Sequence, residues 1–149
     1  MQNARPVVVL TLGDPAGIGA ELIARLLAQH PVCPLANVVL IGDPWLWEQG
    51  QQIAQVSVPT TSVDSFASVR ARPNQDLPAF LSIHSIDPKD VQTGQVSALN
   101  GSSTLKILNT CMDATLAGHV DAICFAPLNK QALKMGGMKH EDELHHFAQ

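Results

Sequence analysis

The stretch that decides the fold is residues 7–22, which read VVVLTLGDPAGIGAEL. Residues 7–12 form a β-branched run of strand length, and Gly13-Asp14-Pro15 ends that run with residues that break regular structure. From residue 19 onward, apolar side chains recur at the spacing of one helix face. The stretch therefore predicts a strand, a tight bend and a helix in that order.

The same alternation continues along the chain. Apolar runs at 38–41, 80–83 and 122–125 predict strands, and helical patterns follow at 45–52, at 97–116 and from a helix cap at Asn129 to Met135. Residues 56–78 are expected to form short edge strands and loops, and the polar segment 140–149 a helix that reaches Gln149. Alternating strands and helices predict an α/β fold with a largely parallel sheet flanked by helices.

Composition narrows the class of protein. The chain has 149 residues, close to one domain, with 46% hydrophobic and 15% charged residues. Its net charge of -4 and scattered basic residues exclude a typical nucleic-acid partner. The apolar run within residues 1–15 is too short to span a membrane. Of the three cysteines, Cys111 and Cys124 lie in apolar runs and are expected to be small buried hydrophobes. The odd count predicts a reducing, cytoplasmic location.

The bend at residues 13–19 is the first candidate ligand site. Gly17 and Gly19 allow a sharp turn, and ligands of open α/β sheets bind beside such loops at the carboxyl ends of strands. Neither the P-loop nor the G-x-G-x-x-G spacing is present. Two interpretations stay open: Asp14 contacts a ligand, or it only bonds amides of its own turn.

Two further motifs carry candidate residues. In APLNKQAL at 126–133, Asn129 and Lys130 follow a strand and could hold a carboxylate, a phosphate or a cofactor; a capped helix with a solvated lysine is the alternative. The segment HEDELHH at 140–146 lacks the second histidine of a zincin motif, and a solvated surface is favoured over a metal site. We expect the bend at 13–19 and the bend at 126–130 to open onto the same edge of one sheet.

Three strings together resemble the 4-hydroxythreonine-4-phosphate dehydrogenase (PdxA) family: TLGDPAGIGAEL at 11–22, VQTGQVSALNG at 91–101 and DAICFAPLNKQAL at 121–133. The resemblance implies a fold like that of isocitrate and isopropylmalate dehydrogenases, with two domains and a homodimer that shares its sites. It also implies NAD or NADP, a divalent metal (Zn, Mg or Co), and oxidation with decarboxylation of a hydroxy acid. In the pyridoxal phosphate pathway that acid is 4-phosphooxy-L-threonine.

The chain departs from the family in length. Family members are longer, and their metal-binding histidines lie beyond residue 149, so residues 1–149 are expected to be an incomplete α/β region whose second half, with the metal ligands, lies outside this chain. The fragment alone is then expected to be inactive. The alternative is a truncated, non-catalytic homologue that binds a ligand or a partner.

It also departs in one substrate motif. Family members carry Gly-His-Thr-Glu after the APxNK helix, and aligning Glu143 with that glutamate places His140, Glu141 and Asp142 at the other three positions. A shifted alignment instead puts His140 at the family's histidine. Acidic residues repel a phosphate dianion, which predicts a different hydroxy acid, non-phosphorylated or a dihydrodiol carboxylate. The predicted substrate-binding residues are Asp14, Asn129, Lys130, His140, Glu141 and Asp142.

Overall fold

A computed structural model describes residues 4–72 and 74–148 of the chain. The strands of this part are β1 (Val7–Thr11), β2 (Asn37–Gly42), β3 (Thr61–Val63), β4 (Ala79–Ser82) and β5 (Ala122–Phe125). The helices are α1 (Gly19–Gln29), α2 (Pro44–Ala54), α3 (Phe66–Arg70), α4 (Ala98–Leu116), α5 (Lys130–Met135) and α6 (Glu143–Phe147), with one 3-10 turn at Pro88–Asp90. In the described ranges, no helix is long and apolar enough to cross a membrane.

The strands form one sheet in the order β3-β4-β2-β1-β5, and all neighbouring strands run parallel. Side chains alternate across it: Leu10 and Leu40 pack with α1 and α2, whereas Val9 and Val39 pack with α3 and α4. Leu40 and Val39 are 0% exposed, and burying each such side chain contributes about 1.5–3 kcal/mol. The prediction of an α/β fold with a parallel, helix-flanked sheet is confirmed.

A second contact holds α5 against α4. Gly101 of α4 lies so close to the backbone of Ala132 in α5 that a Cβ atom at residue 101 would overlap the Ala132 carbonyl. Gly136, at the end of α5, approaches the backbone of Gly101 and Ser102 in the same way. Leu105, Leu108 and Leu133 are among the side chains that fill the space beside this crossing.

Several local predictions were wrong. Residues 66–70 form a short helix where only strands and loops were expected, because the Ser65 hydroxyl accepts a hydrogen bond from the Ser68 N–H and caps the turn. The apolar spacing of Leu105, Leu108, Met112 and Leu116 predicts that these residues share one face of the helix at 97–116, but Leu116 is 81% exposed, and the last buried residue of α4 is Ala114.

The two cysteines in apolar runs, Cys111 and Cys124, differ in their exposure to solvent. Cys111 is fully buried among aliphatic side chains, as expected. Cys124 is exposed, because β5 is an edge strand and Ala122 and Cys124 share a face that the described residues leave uncovered. The helix predicted over 140–149 is shorter, at Glu143–Phe147, and its expected end at Gln149 lies outside the described residues.

Candidate functional site

The two bends expected at one edge of the sheet do meet there. β1 and β5 are parallel neighbours with Thr11 opposite Phe125, so the residues that follow both strands leave the sheet at the same carboxyl-terminal end. The Asp14 N–H donates a hydrogen bond of 3.2 Å to the Pro127 carbonyl. Gly13 adopts a φ of +78°, and a Cβ atom there would lie only 2.7 Å from the Pro127 oxygen. The contact between the bends therefore depends on glycine at position 13.

The meeting point is also where the strand order reverses. From β1 the chain passes through α1 to β2 on one side, and it later returns through α4 to β5 on the other side. The connections leave a crevice beyond the carboxyl ends of β1 and β5. Ligands of open α/β sheets bind in such a crevice.

A cavity of about 350 Å³ lies in this crevice, and three segments wall it: the bend after β1, residues 93–95, and the bend after β5. Its lining consists of Asp14, Ala16, Gly17, Ile18, Thr93, Gly94, Gln95, Pro127, Leu128 and Asn129. This lining is largely apolar and backbone, with a few polar groups, as in small-molecule sites. It contains one carboxylate and no basic side chain.

Asp14 supplies that carboxylate. The residue is 8% exposed, and its Oδ1 accepts a hydrogen bond of 2.8 Å from the Ala16 N–H. Burial raises the pKa of the Asp14 carboxyl, and the Ala16 hydrogen bond opposes that rise only in part. Within the described residues, no donor reaches the second oxygen, Oδ2.

Asn129 faces the same cavity from the other bend. Its Oδ1 accepts a hydrogen bond of 2.9 Å from the Ala132 N–H and so caps α5, as the sequence predicts. Capping uses the oxygen of the side chain and leaves the Nδ2 amide group for another partner. The structure thus brings together Asp14 and Asn129, two of the six predicted substrate-binding residues.

The third wall was not among the predicted site residues. The Gly94 N–H donates a hydrogen bond of 2.8 Å to the Ala16 carbonyl, which ties residues 93–95 to the first bend. Asn100, 1% exposed at the start of α4, donates from Nδ2 to the Gln95 carbonyl at 3.0 Å. The string at 91–101 that carries the family resemblance was the available signal.

The other four predicted residues do not line the cavity. Lys130 is exposed at the start of α5, and His140 is half-buried, with its ring centroid 5.7 Å from that of His146 and the two rings tilted by 51°. Glu141 is exposed. Asp142 caps α6 by accepting a hydrogen bond of 2.9 Å from the His145 N–H.

The charge of Lys130 nevertheless acts on Asp142. Hydrogen bonds from the backbone and then the side chain of His145 lower the pKa of the Asp142 carboxyl, and the charge of Lys130 acts in the same direction. His146 holds this segment on α4, with its Nε2 2.7 Å from the Asn109 Oδ1. Across residues 4–72 and 74–148, no three His, Cys, Asp or Glu side chains are placed to hold a metal ion.

The family model described as pyridoxal phosphate biosynthetic protein PdxA matches residues 34–149. The chain belongs to the PdxA family. A relative from Pasteurella multocida, whose name places it among the 4-hydroxythreonine-4-phosphate dehydrogenases, is 40% identical over 145 residues, which are 97% of this chain and 43% of that protein. An Oceanobacillus iheyensis relative, named among the D-threonate 4-phosphate dehydrogenases, is 31% identical over 91% of this chain and 40% of its own length.

Solved structures of the PdxA family show the same architecture. The crystal structure of a 4-hydroxythreonine-4-phosphate dehydrogenase from Burkholderia phymatum matches with a TM-score of 0.84 and 32% identity, over 98% of this chain and 43% of that one. The chain therefore spans less than half the length of the relatives it matches. These relatives are oxidoreductases by name, and such dehydrogenases imply a nicotinamide cofactor in the family.

Proposed function

We propose that this PdxA-family chain forms part of an NAD(P)-dependent dehydrogenase that oxidises, and then decarboxylates, a small hydroxy acid. The observation that carries the proposal is the cavity at the β1–β5 switch point, which both predicted bends wall. Its position is the one that α/β enzymes use for ligands. The proposal includes a cytoplasmic homodimer, as the resemblance implies.

In this proposal the residues of the chain bind and orient. Bound NAD or NADP would accept the hydride, and the Asn129 amide and the Asp14 carboxylate would hold polar groups of a ligand at the cavity. Lys130, one residue beyond Asn129, would attract the carboxylate of the acid. Zn, Mg or Co would be bound by residues outside this chain, as the resemblance implies; among the described residues, no group of three His, Cys, Asp or Glu side chains is placed to hold such an ion.

The segment at 140–142 bears on the choice of acid. It carries the carboxylates of Glu141 and Asp142, and the charge of Lys130 acts on Asp142. A phosphate dianion placed there would meet like charges, whereas an uncharged substituent would not. We therefore propose a substrate without phosphate, either a hydroxy acid or a dihydrodiol carboxylate.

A chimera tests the dehydrogenase proposal. Residues 1–149 replace the matching part of the Pasteurella multocida relative, and reduction of NAD⁺ or NADP⁺ is followed by the absorbance of the reduced cofactor. The acids are 4-phosphooxy-L-threonine, D-threonate 4-phosphate, unphosphorylated threonate and a dihydrodiol carboxylate, each with Mg²⁺, Zn²⁺ or Co²⁺. We expect turnover with an unphosphorylated acid.

The parent relative and the isolated chain are the controls. If the folded chimera reduces neither cofactor with any acid while the parent protein does, the dehydrogenase proposal fails. The non-catalytic alternative then stands. Turnover with the phosphorylated acids alone would support the dehydrogenase proposal and refute the choice of an unphosphorylated substrate.

Lys130→Ala in the same chimera tests the role of the lysine. We expect kcat/KM to fall about tenfold or more, because a charge-assisted hydrogen bond to a substrate carboxylate contributes about 1.5–3 kcal/mol. Lys134→Ala is the matched control, since Lys134 is an exposed lysine of the same helix. Equal kinetics for the two variants would mean that Lys130 is a solvated surface lysine with no role in substrate binding.

A further inference from the structure

We propose that Asp43, a buried carboxylate directly after β2, is a positioning residue for the cavity between the two bends. It holds the connection from β4 to α4 and so fixes where residues 93–95 lie against the bend after β1. The proposal rests on the proposed function, because these residues wall the cavity that the function uses. Asp43 itself does not line that cavity, and it acts through Ser85 and Ser103.

The first argument is what the Asp43 side chain binds. The residue is 2% exposed and stands at the position before α2 where an aspartate commonly caps the helix, yet its side chain makes no bond to the first turn of α2. Instead, Oδ1 accepts hydrogen bonds from the N–H groups of Ser85 at 2.9 Å and Ile86 at 3.3 Å, and Oδ2 accepts one from the Ser85 hydroxyl. The carboxylate therefore gives up a local cap and holds a segment 42 residues further along the chain.

The second argument is that the Ser85 hydroxyl carries the contact on to α4. A carboxylate only accepts hydrogen bonds, so the hydrogen of this hydroxyl points to Asp43. The hydroxyl of Ser103, a 4% exposed residue of α4, lies within hydrogen-bond distance of the same Ser85 oxygen and must then donate to it. Asp43, Ser85 and Ser103 thus form one hydrogen-bonded chain from the end of β2 to α4.

Asn100 links α4 to the cavity wall. It precedes Ser103 by three residues, so the two buried side chains lie on the same face of α4. Its Nδ2 donates to the carbonyl of Gln95, the last residue of the wall. A shift of α4 at Ser103 would therefore move the wall.

The segment 86–95 is thus fastened at both ends. At the first end, the Ile86 N–H bonds to Asp43, and the Ile86 carbonyl accepts a hydrogen bond of 3.0 Å from the Trp45 Nε1. The second end is the Gln95 carbonyl. Between them the segment is almost entirely exposed, so burial does little to fix its position. Asp43 controls the first end directly and the second end through α4.

Hydrogen exchange of the Gly94 N–H tests the proposal in the full 149-residue chain. This N–H bonds to the Ala16 carbonyl and exchanges when the wall leaves the bend, so its rate reports how firmly the wall is held. Asp43→Ala removes the bonds to Ser85 and Ile86, and we expect it to speed the exchange about tenfold or more. Ser85→Ala removes only the hydroxyl chain and should speed the exchange about threefold or more.

Two further variants separate positioning from a general loss of stability. Asp43→Asn should keep the exchange slow, because its oxygen can still accept from both N–H groups and its NH₂ group can donate to the Ser85 hydroxyl, which then donates to Ser103. Ser65→Ala is the matched control, since it removes a serine hydroxyl that caps α3 and does not line the cavity. It should make the chain easier to unfold in urea and leave the Gly94 exchange within about twofold.

Kinetics of the chimera give a second readout. Residues 93–95 would contact the bound acid in the same way before and during the reaction. Ser85→Ala should therefore raise KM for the acid that is turned over about threefold or more and leave kcat within about twofold. A purely structural effect would instead lower the amount of active enzyme, and so kcat, at an unchanged KM.

Several results would overturn the positioning role. They are a Gly94 exchange rate that neither Asp43→Ala nor Ser85→Ala changes, an Asp43→Asn chain that exchanges as fast as Asp43→Ala, a Ser65→Ala chain that exchanges as fast as Ser85→Ala, and a lower kcat at unchanged KM in Ser85→Ala. If Asp43→Ala does not fold, Ser85→Ala decides the test, because it keeps the backbone bonds to Asp43.

The exchange measurement needs no turnover, so the two proposals fail separately. An inactive chimera, together with a Gly94 exchange rate that depends on Asp43, would refute the dehydrogenase proposal alone. An active chimera, together with a Gly94 exchange rate that does not depend on Asp43, would refute the positioning role alone.

Discussion

Replacing Gly13 by alanine is the most direct test of the contact between the two bends. Gly13 has a φ of +78°, and an alanine in that conformation costs about 1–2 kcal/mol. The new Cβ atom would lie 2.7 Å from the Pro127 oxygen and 3.1 Å from the carbonyl carbon of Ala126. Overpacking of this kind costs about 1–3 kcal/mol, so the free energy of unfolding should fall by about 2–5 kcal/mol in total.

Gly118→Ala separates the two contributions. Gly118 has nearly the same φ, +79°, but nothing lies within 4 Å of a Cβ atom built there. That variant should lose only the backbone part, about 1–2 kcal/mol. Urea unfolding of both variants gives the comparison, and the slope of free energy against urea should stay unchanged.

The difference between the two variants measures the contact between the bends. Equal losses for Gly13→Ala and Gly118→Ala would mean that Pro127 does not lie against Gly13 in solution. The cavity, which both bends wall, would then lose its structural basis. A larger loss for Gly13→Ala supports the contact between the bends as described.

Three further measurements test other parts of the structure. Because burial raises the folded-state pKa of Asp14, the chain loses stability as pH rises from about 3.8 through that higher pKa. Asp14→Asn should therefore be more stable than the unaltered chain at neutral pH and should lose this advantage below pH 3.8. Urea unfolding at several pH values measures the difference, and a difference that does not change with pH would contradict the burial of the carboxylate. Gly101→Ala should destabilise the chain by about 1–3 kcal/mol or more in urea unfolding, because its Cβ atom overlaps the Ala132 backbone; an unchanged stability would place α5 elsewhere. Alkylation at neutral pH should label the exposed Cys124 and spare Cys111, because burial raises the pKa of the Cys111 thiol to about 12. Labelling of both cysteines at equal rates in the folded chain would contradict the burial of Cys111.

The parts of the fold that depend on local chemistry could be predicted from the sequence. The run at 7–12 and the breaker at 13–15 determine where β1 ends, and the same pairing of strand and breaker recurs at Gly42. Parallel strands joined by helices then place both bends at one edge, which the 3.2 Å bond from Asp14 to Pro127 confirms. The Asn129 cap was also predictable, because capping involves only residues three apart.

Most of what the sequence did not predict depends on contacts between distant residues; the helix at 66–70, which a local Ser65 cap begins, is the exception. Cys124 lies in an apolar run, and only the position of β5 at the sheet edge makes it exposed. Residues 93–95 have no pattern of their own that marks a cavity wall; the bonds from Gly94 to Ala16 and from Asn100 to Gln95 place them there. The position of 140–142 similarly depends on the contact of His146 with Asn109, across the groove between α6 and α4.

One geometric cause explains both the close contact and the empty space at the site. The strand order reverses between β1 and β5, so α1 leaves the edge toward one face of the sheet and the connection through α4 lies on the other. The bends touch at Gly13, where no side chain intervenes, and the bond from the Asp14 N–H to the Pro127 carbonyl continues the contact. Asp14 follows Gly13, with its Oδ1 bonded within its own bend and its side chain lining the cavity. The bond from Ala16 offsets only part of the cost of burying this carboxylate, so an uncharged residue there would raise the stability of the chain at neutral pH.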